Sequence, residues 1–211
     1  MAIKADMAQA FDRMEWSFIL IVLRCYGFSE HWIPQCLSSV SYSILLNGSP
    51  FGLISPTWGL RQGDPLSPFL FILGTEVLSR MFSRAERMRC IHGTKISRST
   101  TPISHLLFAD DTMIFSRATV NEAVVISNLL DIYAGWSGQE LNLNKSSVTF
   151  SRNVQQALTS SLADSLGISQ SDHPGTYLSL PLVIPRSKRQ AHLVLKERVL
   201  KRVFGWKSKL L

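Results

Sequence analysis

The stretch LLFADDTMIF, residues 106–115, constrains the fold of this chain more than any other part of its sequence. It places the adjacent acids Asp110 and Asp111 between two apolar runs, a pattern that predicts a β-hairpin with the carboxylates at its tip. Neighbouring carboxylates repel each other, which raises the pKa of one of them unless a cation lies nearby. An Asp-rich turn would explain an isolated pair of acids. The apolar flanks instead indicate strands that are buried enough to hold both carboxylates rigidly at the surface of a sheet.

A third acid occurs in a similar setting near the start of the chain. Asp6 follows the short stretch MAIKA, which predicts a strand, and precedes a predicted helix. Two strands of one antiparallel sheet would bring Asp6 beside Asp110, and we expect Asp6, Asp110 and Asp111 to converge with no Lys or Arg nearby in sequence. Such a group suits hard divalent cations, and two ions about 3.5–4 Å apart assist an in-line phosphoryl displacement. The three acids therefore suggest a Mg²⁺-dependent phosphoryl-transfer site.

The composition favours one sizeable folded domain. Of the 211 residues, 45% are hydrophobic, and both helical and alternating patterns occur. No apolar run approaches the roughly 18 residues needed to span a bilayer, and the first residues lack the apolar segment of a secretory signal. Cys25, Cys36 and Cys90 lack the spacing of a zinc site or a disulfide framework. We therefore expect a mixed α/β protein of a reducing compartment, with no membrane partner.

The net positive charge is concentrated at the end of the sequence. Residues 186–211 contain nine Lys and Arg and one acid, which leaves 13 of the 22 basic and 14 of the 15 acidic residues for the remainder. A charged run of this kind is most often a solvated helix face, and contact with a phosphate backbone is the alternative.

The predicted elements run in the order strand, helices, hairpin, helix, hairpin, helix, strand, which indicates an α+β fold with an antiparallel sheet backed by helices. The turn Asn47–Gly48 marks the first hairpin. Asp12 with Glu15, and Thr119 with Glu122, resemble capping boxes at helix starts. The patterns also predict a helix over residues 29–39, a long helix from about Pro68 to about Arg89, a strand over 141–151, a helix over 153–167 and a basic amphipathic helix over 187–206.

Five motifs follow one another along the chain: DMAQAFDRMEW, GLRQGDPLSPFLFIL, LLFADDTMIF, SGQELNLNKSSVTF and YLSLPL. Together they resemble the successive palm motifs of reverse transcriptases, specifically those of LINE-type non-LTR retrotransposons. The closing stretch ERVLKRVFGWKSKLL is similar to the segment after the palm in plant elements of this kind. Each motif alone has limited specificity, whereas the ordered set covers nearly the whole chain. The resemblance implies an RNA-directed DNA polymerase that adds dNTPs to the 3′-hydroxyl of a DNA primer on an RNA template.

The resemblance also implies an architecture. We expect an α+β polymerase palm, an antiparallel sheet backed by helices, plus the start of a thumb, with the fingers largely missing. Residues 1–183 would form the partial palm, and residues 184–211 would form a basic helix that begins the thumb or connection. The family implies an intracellular protein of the nucleus and cytoplasm, and it leaves the oligomeric state open.

The resemblance assigns the three acids to catalysis. Asp6 would be the first metal ligand, with help from the Met7 carbonyl, Asp110 would bridge two Mg²⁺ ions, and Asp111 would be held less tightly. Mn²⁺ is the alternative metal. Lys145 matches the family's lysine near the nucleotide, which is a candidate general acid for the pyrophosphate leaving group. A solvated lysine in a polar loop is the simpler alternative.

Four further residues would contact the incoming nucleotide. Phe11, five residues after Asp6, matches the aromatic position that excludes a 2′-hydroxyl, and a core aromatic at a helix start is the alternative. Arg61, Gln62 and Gly63 match the segment that touches the nucleotide and template. Gly63 would let the backbone approach closely. An ordinary loop before a Pro-initiated helix would also explain the segment, but it leaves Arg61 and Gln62 without a role.

The end of the sequence would contact nucleic acid. Tyr177 lies in YLSLPL, which resembles a primer-gripping hairpin, although Ser179 stands where that pattern usually has glycine. The basic helix would follow the primer–template backbone through contacts that are independent of sequence and sensitive to salt. The residues assigned to these contacts are Lys188, Arg189, Lys196, Lys201 and Arg202.

Two alternatives stay open. The first is a catalytically inactive retroelement remnant with at most weak nucleic-acid binding, which the missing fingers and thumb would favour. The second is a reverse transcriptase of the intron-maturase type. The wording of RQGDPLSP and FADD favours the LINE type.

Overall fold

The computed structural model describes residues 1–29, 31, 35, 37–38, 41–172, 176–177, 180–181, 196–197, 199–201 and 203–204. The chain divides into two units, Met1–Asp172 and His173–Leu211. No helix within the described ranges is long and apolar enough to cross a membrane.

The described residues include nine strands and four continuous helices. The strands are Ala2–Asp6 (β1), Tyr42–Leu46 (β2), Ser49–Ile54 (β3), His105–Phe108 (β4), Asp111–Phe115 (β5), Ser147–Thr149 (β6), Ser169–Gln170 (β7), Thr176–Tyr177 (β8) and Leu180–Pro181 (β9). The helices are Trp16–Cys25 (α1), Ser67–Arg87 (α2), Val120–Ser137 (α3) and Gln156–Leu166 (α4).

The first unit is built around a five-stranded sheet in the order β4-β5-β1-β6-β7. The pairs β4–β5, β5–β1 and β1–β6 are antiparallel, and β6–β7 is parallel because α4 crosses over between the two strands. Helix α2 packs against β4, α1 and α3, and α4 packs against α3 and β7. The predicted α+β class, an antiparallel sheet backed by helices, is confirmed.

Alternation along β1 explains why this strand lies at the centre of the sheet. Ile3 and Ala5 are buried, whereas Lys4 and Asp6 on the other face are partly exposed. The buried face joins one core with residues of the flanking strands and of the helices, and burial of each large side chain contributes about 1.5–3 kcal/mol. The largest fully buried members of this core include Ile19, Leu23, Leu78, Phe82, Ile114, Ile126 and Tyr133.

Two predicted hairpins form where the sequence places them. β2 pairs with β3 through the turn Asn47–Gly48, in which both residues have positive φ, +50° and +84°. β4 pairs with β5 around a turn at Ala109 and Asp110. The long helix α2 also begins beside Pro68 and ends within two residues of the predicted position.

The capping box at Asp12 is wrong. Helix α1 begins only at Trp16, with Glu15 as its N-cap and no side-chain cap hydrogen bond. Residues 8–13 form turns instead, because long-range contacts hold this segment. One of them is the Leu60 backbone N–H, which donates to the Phe11 carbonyl at 2.7 Å. Helix propensity yields to this tertiary docking.

The second capping box forms only in half. Thr119 accepts a hydrogen bond from the Glu122 backbone N–H, but the Glu122 carboxylate turns to His92 and to the Arg117 backbone N–H. The predicted strand over 141–151 is also shorter than expected. Only Ser147–Thr149 pairs as β6, because residues 142–145 make a turn closed by the Ser146 N–H bond to the Asn142 carbonyl.

The second unit contains one hairpin in its described residues, with Thr176 opposite Pro181 and Tyr177 opposite Leu180. Helical residues occur at 196–197, 199–201 and 203–204, and Lys196 and Lys201 are exposed. Of the other residues assigned to nucleic acid, Lys188, Arg189, Arg202 and the side chain of Tyr177 lie outside the described residues. So does most of the predicted helix over 29–39.

Candidate active site

The strand register brings the first acid next to the tip of the second hairpin. Asp6 at the end of β1 pairs directly with Asp111 at the start of β5. The next residue, Met7, donates its backbone N–H to the Asp110 carbonyl at 3.3 Å. The turn before Asp110 contains Ala109 at a φ of +49°, a left-handed conformation that lets β4 reverse sharply into β5. The three predicted acids therefore meet at one edge of the central sheet.

A pocket of about 700 Å³ opens at this edge. It contains eight of the residues that the sequence analysis assigned to catalysis or nucleotide contact. These are Asp6, Met7, Phe11, Arg61, Gln62, Gly63, Asp110 and Lys145. Asp111 is absent from the lining. The remaining lining residues are Ala8, Gln9, Ala10, Pro68 and Asn142.

Electrostatics in the pocket show a concentration of negative charge around Asp6. Partial burial raises the pKa of Asp6, and the nearby carboxylates of Asp110 and Asp111 raise it further. Lys145 opposes this increase most strongly, and Lys4 opposes it less. Burial is the largest cause of the raised pKa, and the like charges of Asp110 and Asp111 are the part that a bound cation would offset. Lys145 also lines the pocket, so its ammonium is the positive charge in the lining that acts most strongly on Asp6.

The expectation of three carboxylates without a neighbouring cation is wrong. The Lys4 ammonium lies 3.5 Å from the Asp111 carboxylate, and both side chains are partly exposed. Lys4 lies two residues before Asp6, on the same face of β1, so alternation carries its side chain toward the hairpin. This ion pair partly neutralises Asp111 and leaves Asp6 and Asp110 as the carboxylates that face the pocket.

The donor set of the pocket fits a divalent ion in chemistry. Asp6 and Asp110 supply carboxylate oxygens, the ligands that Mg²⁺ prefers, together with room for further oxygen ligands in an open cavity. Within the described part of the chain, no group of three or more His, Cys, Asp or Glu is arranged so that it would hold a metal by itself. A metal here would therefore draw ligands from elsewhere, which agrees with the preference of Mg²⁺ for few carboxylates plus phosphate oxygens.

The backbone of Asp6 is fixed by a network with the segment after α3. The Asp6 N–H donates to the Ser146 hydroxyl at 3.1 Å, and that hydroxyl donates to the Asn142 carbonyl at 2.8 Å. The Asn142 N–H returns to the Asp6 carbonyl at 2.8 Å. Ser146 is only 1% exposed, so these bonds are shielded from water. The network ties the turn that carries Lys145 to the strand that carries Asp6.

A second wall of the pocket comes from the segment before α2. Gly59 approaches the Asp12 carbonyl so closely that an added Cβ would lie 2.7 Å from that oxygen. The Leu60 N–H then donates to the Phe11 carbonyl at 2.7 Å, and the Gln62 amide donates to the Asp12 carboxylate at 3.3 Å. Gly59 is therefore the residue that permits close docking of this wall.

The side chains of the two pocket walls are also held in place. The Phe11 ring stacks on Phe71 of α2 with centroids 4.6 Å apart, and the Arg61 guanidinium lies 5.7 Å from the centre of the Tyr42 ring. Gly63 has a φ of +88°, which suits glycine. Asp12 serves this wall through Gln62 and is not a helix cap.

Sequence reasoning missed four residues that shape the site: Lys4, Gln139, Asn142 and Ser146. The last three lie within the quoted motif SGQELNLNKSSVTF, from which only Lys145 received a role. Their hydrogen bonds reach residues more than 120 positions away, so no local spacing marks them. Lys4 was visible by its spacing of two residues from Asp6.

Comparison with known proteins agrees with the resemblance in the ordered motifs. Residues 1–182 match the family described as reverse transcriptase (RNA-dependent DNA polymerase). An uncharacterized mitochondrial protein of Arabidopsis thaliana is 56% identical over 68 residues, which cover 32% of this chain and 56% of that protein.

Two retrotransposon proteins are similar over longer stretches. The Pol polyprotein of the type-2 element R2DM of Drosophila melanogaster is 29% identical over 143 residues, 66% of this chain and 13% of the polyprotein. That of the type-1 element R2 of Popillia japonica is 30% identical over 148 residues, 68% of this chain and 20% of the polyprotein. The chain thus spans between 13% and 56% of the length of these three relatives.

Solved structures with a similar fold include two telomerases. The apo telomerase from Candida tropicalis matches 69% of this chain and 29% of its own, with a TM-score of 0.52 and 15% identity. Telomerase from Candida albicans matches 74% of this chain and 27% of its own, with a TM-score of 0.50 and 14% identity. At this identity the likeness concerns the fold alone. The sequence match over residues 1–182 nevertheless shows that the chain belongs to the reverse transcriptase (RNA-dependent DNA polymerase) family.

Proposed function

We propose that this chain is the palm of an RNA-directed DNA polymerase that extends a DNA primer on an RNA template. The primer 3′-hydroxyl loses its proton and attacks the α-phosphate of a dNTP, and the bond to the β-phosphate breaks to release pyrophosphate. The observation that carries this proposal is the meeting of Asp6, Asp110 and Lys145 in one open pocket, on three segments far apart in sequence.

The carboxylates would create the negative potential of the site. Asp6 and Asp110, with Asp111 beside them and the Met7 carbonyl as a neutral oxygen, would hold two divalent ions, Mg²⁺ or alternatively Mn²⁺. When bound, such ions activate the 3′-hydroxyl and neutralise charge on the triphosphate. Burial and then the neighbouring carboxylates of Asp110 and Asp111 raise the pKa of Asp6, and those two neighbouring charges support this role because a bound cation would offset them.

Lys145 would act on the leaving group. It lines the pocket, and its charge lowers the pKa of Asp6 in opposition to burial. A lysine at this position can donate a proton to pyrophosphate as the bond to the α-phosphate breaks. Because the turn of residues 142–145 is bonded to Asp6 through Asn142, donor and carboxylate would keep their relative positions.

The remaining pocket residues would bind and select the nucleotide. The Phe11 ring, fixed by stacking on Phe71, would lie under the sugar and clash with a 2′-hydroxyl. Arg61, Gln62 and Gly63 also line the pocket, where they would contact the nucleotide and template. In the second unit, Tyr177, Lys188, Arg189, Lys196, Lys201 and Arg202 would contact the primer–template backbone.

Primer extension by the 211-residue chain on an RNA template with Mg²⁺ and dNTPs tests the proposal. We expect Asp110→Ala to lower the extension rate by at least about 10²-fold, the scale for loss of one preorganised charged group. The matched control is Asp164→Ala, which removes an exposed carboxylate on α4 that is not among the residues lining the pocket. Equal rates for the unchanged chain and Asp110→Ala would reject the assigned mechanism.

Two observations favour a second candidate, a protein that binds nucleic acid without catalysis. The Lys4–Asp111 ion pair occupies the third acid, and no three-residue metal group exists among the described residues. This candidate predicts that the unchanged chain binds an RNA–DNA duplex with the same affinity with and without Mg²⁺ and extends no primer. Mg²⁺-dependent extension would exclude it.

A further inference from the structure

The segment between β1 and α1 is held by the residues that follow α3. We call Ser137–Glu140 the clamp. The Ala8 N–H donates to the Glu140 carbonyl at 2.8 Å, and the Arg13 side chain donates to the Gly138 carbonyl at 3.2 Å. Gly138 has a φ of +73°, and a Cβ at this position would lie 2.5 Å from the Arg13 carbonyl. The backbones of the clamp and of this segment are therefore so close that position 138 has no room for a side chain.

Gln139 reaches the middle of the held segment from a buried position. It is 4% exposed, and its amide Nε2 donates to the Ala10 carbonyl at 2.7 Å. Its own backbone N–H donates to the Ser137 hydroxyl at 3.2 Å, and that hydroxyl donates to the Tyr133 carbonyl at 2.7 Å. Gln139 is thus fixed to the last turn of α3 before its side chain extends toward Ala10.

Burial of the Gln139 side-chain amide is energetically unfavourable. Its Oε1 atom has no hydrogen-bond partner among the described residues, and an unpaired buried acceptor destabilises a fold by about 1–3 kcal/mol. An apolar side chain of the same length would avoid this loss. The feature that only Gln139 supplies is the bond to the Ala10 carbonyl, so this bond needs a separate explanation.

Ala10 lies between a strained residue and a pocket residue. Gln9 has a φ of +49°, a left-handed conformation. This conformation is unfavourable for residues other than glycine and persists only when the surrounding structure enforces it. Phe11 follows, with its ring in the pocket and against Phe71. A bond to the Ala10 carbonyl therefore controls the backbone on which the Phe11 ring is mounted.

We propose that Gln139 is a positioning residue that holds the Phe11 ring in the nucleotide pocket and thereby sets the preference for deoxyribonucleotides over ribonucleotides. This inference rests on the proposed function, because it assigns Gln139 a role in the selectivity of that site. A purely structural role would lower the stability of the fold and leave the sugar preference unchanged. The two roles therefore predict different ratios of the affinities for a deoxyribonucleotide and a ribonucleotide.

The test compares dATP with ATP, which differ only in the 2′-hydroxyl. The 211-residue chain is loaded with an oligo(dA) primer that lacks its 3′-hydroxyl on an oligo(rU) template, and equilibrium binding of each nucleotide is measured with Mg²⁺. Gln139→Met removes the donor but keeps length and volume. Gln156→Met makes the same chemical change at an exposed position on α4 and is the matched control. Phe11→Val, alone and combined with Gln139→Met, tests whether the effect acts through the ring.

We expect Gln139→Met to lower the preference for dATP by about ten-fold, the scale of one buried hydrogen bond. Gln156→Met should leave the preference unchanged, and Gln139→Met should add nothing in the Phe11→Val background. The rate of amide hydrogen exchange across residues 8–13 should rise by about ten-fold in Gln139→Met. It should not change in Gln156→Met. An unchanged preference, or a loss that persists without the Phe11 ring, would overturn the proposal.

The exchange measurement separates this inference from the proposed function, because it requires no nucleotide and no extension. Unchanged exchange over residues 8–13 in Gln139→Met refutes the positioning role even in an active polymerase. Failure of the unchanged chain to extend a primer counts against the proposed function, and the exchange data then still decide whether Gln139 holds the segment.

Discussion

The carboxylates near the two ends of β5 differ in burial and in hydrogen bonding. After the strand, Glu122 is 5% exposed, and its oxygens accept hydrogen bonds of 2.9–3.0 Å from the His92 ring, the His92 backbone and the Arg117 backbone. Near the start of β5, Asp110 and the neighbouring Asp6 of β1 line an open pocket. No donor in the described ranges forms a hydrogen bond with either of these two carboxylates.

The difference separates a structural carboxylate from one available to a ligand. Glu122 uses its acceptors on backbone groups that would otherwise be unpaired, so it joins the end of β5 to α3 and to the loop after α2. Asp6 and Asp110 instead keep free acceptors, and their positions depend on backbone bonds to Ser146, Asn142 and Met7. The backbone of the pocket is thus fixed, and the carboxylate oxygens of Asp6 and Asp110 accept no hydrogen bond from the described residues. A preorganised site with free acceptor oxygens is suited to a cation.

The largest effect should come from Glu122. Glu122→Gln keeps the shape but replaces one acceptor oxygen with a donor, which leaves a buried N–H unpaired and removes the charge of the carboxylate that the His92 ring contacts at 2.9 Å. We expect the free energy of unfolding to fall by about 3 kcal/mol, measured by urea denaturation. Asp110→Asn should change it by less than about 0.5 kcal/mol. Similar losses for the two variants would remove the contrast between the ends of β5.

A smaller effect should show that backbone packing holds the pocket. Gly138→Ala adds a Cβ that would lie 2.5 Å from the Arg13 carbonyl at a φ of +73°, so we expect a loss of about 2 kcal/mol in thermal or urea unfolding. Gly135→Ala is the matched control, because an added Cβ there meets nothing within 4 Å and helix propensity favours alanine by up to about 1 kcal/mol. If both variants behave alike, the clamp does not fix the pocket backbone.

The smallest effect concerns the pH dependence of Asp6. Because the pKa of Asp6 is raised from its ordinary value of 3.8, its protonated form contributes stability below that pH, and the contribution is lost as the pH rises through the folded pKa. Asp6→Asn should therefore stabilise the fold by a few tenths, about 0.3 kcal/mol, at pH 7 and give no gain below pH 3.8. Thermal unfolding across this range measures the difference, and a variant destabilised at pH 7 contradicts the prediction.

Much of the fold was predictable because its signals are local. The turn Asn47–Gly48, the apolar flanks of Asp110 and Asp111, and the long α2 each depend on neighbouring residues. The approach of Asp6 to the tip of the second hairpin also followed, since apolar strands ending in acids suggested one antiparallel sheet; the predicted neighbour was Asp110, and the strand register pairs Asp6 with Asp111.

The errors arose where distant contacts override local preference. Asp12 resembled a helix cap, but docking of residue 59 on residue 12 keeps the chain in turns until Trp16. The assignments of Phe11, Arg61 and Lys145 to the site came from the family resemblance, because nothing in their spacing brings them together. Gln139 and Ser146 act through bonds to residues over 120 positions away, which no sequence pattern records.

Binding of Mn²⁺ in the presence of dATP, followed by electron paramagnetic resonance, tests the central claim most directly. If Asp6 and Asp110 form the cation site, the unchanged chain and Asp164→Asn should bind Mn²⁺, and Asp110→Asn should lose most of that binding. Equal Mn²⁺ binding by all three proteins would contradict the account of the pocket.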